Sequence, residues 1–278
     1  MKTRIVIPGA LGLALLVPAV RAQTFTYNTG DLVAAFRESG SSDLLVDLGP
    51  VTTYETPGAS FSVSQVTSSQ LNTVFGTLNS VTFSVFGTQG SSGGVGGDSA
   101  YTSYLTLAET TPGTQTTALN GYSPSASHSI ASQISGILGV GASTGALIYA
   151  PNASYPPSTS SGLVIPTTGT YAVDSFTTKF TGTGGLQSLV KSPGIENTTS
   201  SSFATTPGAT AVSDLYAYAP GTATTPGTFE GSFTLNNSGQ LTFTPASVPE
   251  PGTLALAVMS ALGLAGAFAR RNKAAVRG

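Results

Sequence analysis

Hydrophobic and polar positions alternate in short runs along most of this chain, and Gly, Pro, Ser or Thr closes each run. In Asp43-Leu44-Leu45-Val46-Asp47-Leu48, a period of two puts Leu44, Val46 and Leu48 on one face and Asp43, Leu45 and Asp47 on the other, before Gly49-Pro50. Val81 to Phe86 alternates in the same way ahead of the Gly-rich stretch Gly87 to Gly97, which reads as an exposed loop. Tyr101 to Leu107 resumes the pattern. Thr228 to Leu235 and Gln240 to Thr244 flank Asn236-Asn237-Ser238-Gly239, residues that tolerate the positive φ of a tight turn, so this is the strongest hairpin signal. Its first strand is expected to place Phe229, Gly231, Phe233 and Leu235 on one face, with Leu241 and Phe243 paired against them.

A period near 3.6 occurs twice, giving expected short helices packed on a sheet. One covers Ser68 to Leu78 with Leu71, Val74, Phe75 and Leu78, the other Ser127 to Leu138 with Ile130, Ile134, Ile137 and Leu138. Pro151 to Ser161 and Asn197 to Thr210 are rich in Ser, Thr and Pro and read as loops or flexible insertions. Thr-Pro-Gly recurs at Thr56, Thr111, Thr206 and Thr225 with irregular spacing, which marks turns rather than repeat units. The expected fold is mainly β, a β-sandwich-like or related antiparallel sheet with one or two short helices.

The two ends break this pattern. Lys2 and Arg4 precede the apolar run Ile5 to Val17, and Val20-Arg21-Ala22 suits a signal-peptidase site, so residues 1–22 read as a signal peptide and Gln23 as the mature start. At the other end, Pro249-Glu250-Pro251 precedes an uncharged apolar run from Gly252 to Ala269, followed by Arg270, Arg271, Lys273 and Arg277. The prolines cannot enter the following helix, and the arginines hold its C-terminal end in the cytoplasm. Leu254 to Ala269 would span roughly 24 Å as a helix, short of a hydrocarbon core of about 30 Å and rich in Ala and Gly, which suits a temporary anchor.

Residues 248–278 resemble the PEP-CTERM sorting signal of Gram-negative bacteria. Pro249, Glu250 and Pro251 match its motif, 252–269 its transmembrane helix and Arg270 with Arg271 its basic stop. The resemblance implies recognition by a membrane-embedded exosortase, removal of the helix, and passage of the body from an inner-membrane intermediate to the cell surface or extracellular matrix. It also implies association with exopolysaccharide or biofilm.

The body between, residues 23–247, carries three cations (Arg37, Lys179, Lys191) against eleven anions, a net charge of −8. Such a surface lacks the clustered Lys and Arg that neutralise phosphates, so nucleic acid is not an expected partner. There is no Cys, which excludes thiol catalysis and thiolate metal sites in this sequence. The single histidine, His128, would need Asp174 or Asp214 and a serine to form a triad; Gly-x-Ser-x-Gly is absent, and the simpler reading is a helix-face histidine.

Asp43 and Asp47, with Asp31, Glu38 or Glu55, are candidates for an acid/base pair or a Ca²⁺ cage, against the simpler reading of a solvated polar face. Ten tyrosines offer a sugar-stacking surface, although Trp is absent. These residues point to no cofactor, no metal and no enzyme. The expected function is that of a structural matrix protein. A carbohydrate-binding adhesin is the alternative, and a secreted carboxylate-dependent hydrolase comes third.

Overall fold

A computed structural model describes residues 28–91, 97–109, 121–139, 162–165, 167, 175–190, 194–222 and 224–246. Ala22, Gln23, Pro249, Glu250, Pro251, Arg270 and Arg271 lie outside the described residues, as does Pro151 to Ser161. Among the described residues no helix is long and apolar enough to cross a membrane.

In chain order the elements are β1 (Asp31–Arg37), β2 (Asp43–Pro50), α1 (Thr52–Glu55), β3 (Phe61–Ser62), α2 (Ser68–Phe75), β4 (Thr82–Thr88), β5 (Ser103–Glu109), α3 (Pro124–Gly139), β6 (Gly162–Ile165), α4 (Phe176–Thr181), α5 (Leu186–Leu189), β7 (Asn197–Thr198), β8 (Thr210–Tyr218), β9 (Thr228–Asn236) and β10 (Leu241–Pro245). The body is mainly β. Its strands form one antiparallel sheet in the order β3-β10-β9-β8-β5-β4-β1-β2-β6, with β7 beside β4.

The sheet curls, and its two faces bury separate cores. Leu44, Val46 and Leu48 of β2 join Phe83, Val85, Phe233, Leu235 and Phe243 in the first core, as their period of two predicts. Tyr54, on the α1 turn just after β2, reaches strands at the far end of the sheet order. Its ring centroid lies 5.5 Å from Phe233, 5.1 Å from Phe243 and 5.8 Å from Phe61. One curled sheet thereby does the work of two stacked layers. Helix α2 lies against this core through Leu71 and Phe75. A capping box between Thr67 and Gln70 starts the helix, and Gly76, at φ 71°, stops it three residues before the expected end.

The second core lies on the opposite face, where Val33, Ala35, Leu45, Phe86 and Leu105 meet Ile130, Ile134 and Ile137 of α3 and Phe176 and Phe180 of α4. Helix α3 is longer than expected because Pro124 can occupy its first turn, where no backbone N–H is needed. Helices α4 and α5 carry too few periodic positions to show in the sequence.

Three expectations are corrected. Phe229 does not share a face with Phe233. Leu215 pairs with Gly231 but Tyr216 pairs with Phe229, so Glu230 is an extra residue that turns Phe229 toward the second core. Tyr101 and Thr102 precede β5 rather than belonging to it: Tyr101 has φ 60°, and the Thr102 hydroxyl donates to Ser99 O at 2.9 Å. The Ser/Thr-rich segment from Asn197 is not a flexible insertion. Strand β5 pairs with β4 only from Phe86 to Thr88, and below that point β7 takes its place against Thr82 and Phe83.

Polar side chains fill the fork so created. Thr106 Oγ1 donates to Ile195 O at 2.9 Å and accepts from Val85 N at 2.9 Å. Asn197 Nδ2 donates to Val212 O at 2.5 Å. Thr199 Oγ1 donates to Leu78 O at 2.6 Å, and Phe203 is buried in the first core. Buried backbone groups need such partners, and hydroxyls supply them where the regular ladder parts.

Arg37 at the end of β1 fastens the same segment from outside. Its guanidinium donates both Nε and Nη2 to the Glu196 carboxylate at 2.6 Å and lies 5.8 Å from the Phe180 ring centroid. The paired side chains are only 24% and 13% exposed. Arg37→Ala should therefore cost about 2 kcal/mol, between the values for exposed and buried pairs. A double-mutant cycle with Glu196→Gln, read by denaturant unfolding, should return a coupling of about 1 kcal/mol or more; additive single effects would show that the pair contributes no coupling.

Candidate functional site

The aspartates singled out in the sequence are close along the chain but are used separately. Asp43 and Asp47 do share a face with Leu45, yet that face is the second core rather than solvent. Asp43 is fully buried, and accepts from Thr177 N at 2.7 Å and Thr177 Oγ1 at 2.8 Å, which fixes the first turn of α4 on β2. Burial pushes its carboxyl up against these hydrogen bonds. Asp47 is half-buried and accepts from Gly49 N at 2.9 Å. Burial lifts it to about 6, with the charge of Asp31 adding to the rise and the Gly49 N–H opposing it.

Asp31 accepts from Asn28, and Glu38 from the Ser41 hydroxyl, so these hydrogen bonds do not join the carboxylates into the candidate acid/base pair. Among the described residues no group of three or more His, Asp or Glu side chains is arranged to hold a metal ion. The solvated-face reading fails for Asp43, which serves as an internal hydrogen-bond acceptor, while Asp47 remains partly exposed.

His128 is exposed on α3, as the simpler reading expected, with its ring centroid 4.6 Å from that of Tyr101. Asp214 lies fully buried in β8 and accepts from Ser232 Oγ at 2.5 Å, whereas His128 stands exposed. Asp174 lies outside the described residues. No triad is formed from His128 and Asp214.

A different carboxylate group is assembled instead, at the edge of the first core. Glu55 ends α1, Asp98 precedes β5, and Glu230 is the extra residue of the β9 bulge. Tyr104 of β5 stands among them. Its hydroxyl donates to Asp98 Oδ2 and accepts from Gln89 Nε2 at 2.9 Å. Glu55 lies close enough for Asp98 and Tyr104 to act on its carboxyl.

All three acids are partly exposed. Burial pushes Glu55 up to about 7; neighbouring Asp98 and the charge of Glu230 add to this, and Tyr104 opposes it. Burial followed by the charge of Asp98 pushes Glu230 up to about 7 as well. Tyr104 is raised by burial first and by Asp98 second, so it stays a hydrogen-bond donor at neutral pH.

Carboxyl groups that act on one another at close range tend to retain a proton, because neighbouring like charges cannot both ionise freely. Chemically the arrangement can take up and release protons near neutrality. Of its members only Glu55 belonged to the expected candidates. Asp98 and Glu230 carried no local motif, and the bulge that delivers Glu230 depends on a register break between β8 and β9.

No protein family, curated protein or solved structure matches this chain, so the resemblance of residues 248–278 to a sorting signal rests on those residues themselves.

Proposed function

We propose that the chain is an exported, exosortase-sorted protein of the cell surface or extracellular matrix, structural rather than enzymatic. The observation that carries this reading is the order Pro249-Glu250-Pro251, apolar run, Arg270-Arg271 at one end, opposite a signal-peptide pattern ending at Ala22. The same reading divides the chain into a signal peptide (1–22), a secreted β body (23–247) and a sorting tail (248–278). Signal peptidase and an exosortase are its processing partners, the membrane is a temporary one, and exopolysaccharide is the proposed neighbour outside.

The hydrolase reading is weaker. The two carboxylates of a glycosidase stand about 5 Å or more apart so that a sugar or water fits between them. Asp98 instead accepts from the Tyr104 hydroxyl within the protein. The adhesin reading draws support from Tyr101, which adopts a positive φ and sets its ring at a tilt against that of exposed His128, a small aromatic surface of the kind sugars stack on. Binding to a carbohydrate array that disappears in Tyr101→Ala would favour that reading over a purely structural one.

Glu250→Ala should leave export intact while slowing removal of the tail, whereas replacing Arg270 and Arg271 should weaken membrane retention. Both variants are followed by gel mobility and cell fractionation in a host that contains an exosortase. If processing is normal after Pro249 to Pro251 has been scrambled, the tail is a generic anchor and the sorting reading fails.

A further inference from the structure

The connection from β8 to β9 holds two tyrosines against each other. Tyr218 ends β8, and Tyr122 stands just before α3. Their ring centroids are 5.3 Å apart with the planes at 74°, so an edge of one ring meets the other. The main chain clamps both residues. Gly121 N donates to Thr225 O at 2.5 Å, and Gly221 N donates to Tyr122 O at 3.1 Å. Gly227 closes the other side of the Tyr218 ring. A Cβ at that position would lie 2.6 Å from Tyr218 Cε1 and 2.9 Å from Cζ, so only glycine lets the backbone press this close.

Packing alone does not explain the phenols. Tyr218 is 2% exposed, and among the described residues its hydroxyl has no hydrogen-bond partner. Such a hydroxyl costs stability that Phe would spare, and calls for a reason beyond packing. Burial first and the Tyr122 phenol second push the Tyr218 hydroxyl up, which sets the hydroxyl-bearing ends of the two rings near each other. Tyr216, on the same face of β8, is farther from Tyr218 at 6.3 Å. The hydroxyls of Tyr54 and Tyr104 are committed elsewhere, to Leu48 O and to Asp98.

We propose that Tyr122 and Tyr218 form an oxidative cross-linking site, joined as dityrosine when the chain meets peroxide and a one-electron oxidant of the haem-peroxidase class. Each phenol gives up its hydroxyl proton and one electron. The two phenoxyl radicals join through a carbon–carbon bond between Cε atoms, and the hydrogen on each of these carbons moves to the oxygen beside it, restoring both phenols. Two hydrogen atoms leave in all and reduce one peroxide to two waters. The product sets its hydroxyls side by side, where one donates to the other, and Tyr218 gains the partner it lacks. The bond ties the segment before α3 to the end of β8 in a sequence that has no Cys for a disulfide. It does not depend on the sorting reading.

Treating the purified full chain with hydrogen peroxide and a haem peroxidase tests it. The monomer, separated from any chains joined to one another, should gain dityrosine fluorescence and lose the mass of two hydrogen atoms. Digestion should then release a peptide pair joined through Tyr122 and Tyr218. Tyr122→Phe and Tyr218→Phe each remove one hydroxyl and keep the ring. Each should lower the fluorescence of the monomer about tenfold or more, since only groups held together couple at high effective concentration. Tyr216→Phe should leave it unchanged. A monomer without dityrosine overturns the site, as does fluorescence that survives in Tyr122→Phe or disappears in Tyr216→Phe. If a variant does not fold, the joined peptide pair in the unaltered chain decides alone.

Discussion

Tyr54→Ala is expected to destabilise the body by about 3–5 kcal/mol, the range for removing a large buried aromatic side chain. Tyr54 is 1% exposed and touches Phe61, Phe233 and Phe243, residues of β3, β9 and β10. Those three strands lie at one end of the sheet order, and β2, from which Tyr54 hangs, is second from the other end. The ring therefore joins parts of the sheet that share no ladder. Its removal leaves a cavity at that junction that main-chain hydrogen bonds cannot close. Tyr54→Phe separates packing from polarity: the hydroxyl donates to Leu48 O at 3.0 Å, and its loss should cost only about 1 kcal/mol. Urea unfolding of both variants decides the matter. If Tyr54→Ala costs no more than Tyr54→Phe, the aromatic junction does not hold the curl.

Alternating strands were legible in the sequence. In β9 and β10 the alternation marks a drier and a wetter face, whereas β2 and β4 alternate although most of their residues are buried on both faces, and the turn at Asn236 to Gly239 announces itself by its composition. Strands β1 and β8 gave no such signal. In Leu32-Val33-Ala34-Ala35-Phe36 every side chain is wholly buried, three in the first core and two in the second, so no polar residue marks a face. Strand β8 hides for the opposite reason, since Ser213 and Asp214 are polar yet fully buried.

Composition misled at the fork between β4 and β5. Asn197, Thr199 and Phe203 sit in a stretch that looks too polar to fold, but its amide and hydroxyl groups satisfy backbone that the parting strands leave unpaired. In a body this poor in charge, Ser and Thr take over internal hydrogen bonding, and sequence does not separate a structural hydroxyl from a solvated one. The carboxylate cluster was illegible for a third reason. Glu55, Asp98 and Glu230 belong to three distant elements, and they meet only because the sheet curls and because β9 carries one residue more than β8 at the bulge.

That bulge underlies the second large effect. Gly231 has φ 147°, a region closed to residues with a Cβ, and an added Cβ would lie 2.4 Å from Thr244 O, 2.5 Å from the Phe243 ring and 2.9 Å from Pro245 Cα. Two of those neighbours are backbone atoms of β10, so no side-chain rotation relieves the clash. The strand itself must move, which breaks the pairing of Thr244 and Pro245 with Ser232 and Gly231 and draws Phe243 out of the first core. Gly231→Ala should therefore cost about 3 kcal/mol or more, combining backbone strain with lost packing.

At Gly239, φ 82° also favours glycine, but the nearest atom to an added Cβ is Ser68 Cα at 3.1 Å, and the flanking Ser238 and Gln240 are exposed. Gly239→Ala should cost about 1–2 kcal/mol, and Gly239→Asn less, since Asn tolerates the left-handed region. Thermal unfolding followed by circular dichroism ranks the three variants. A Gly231→Ala midpoint no lower than that of Gly239→Ala would mean that β9 passes this point without the bulge, and then Glu230 would have no reason to stand beside Asp98.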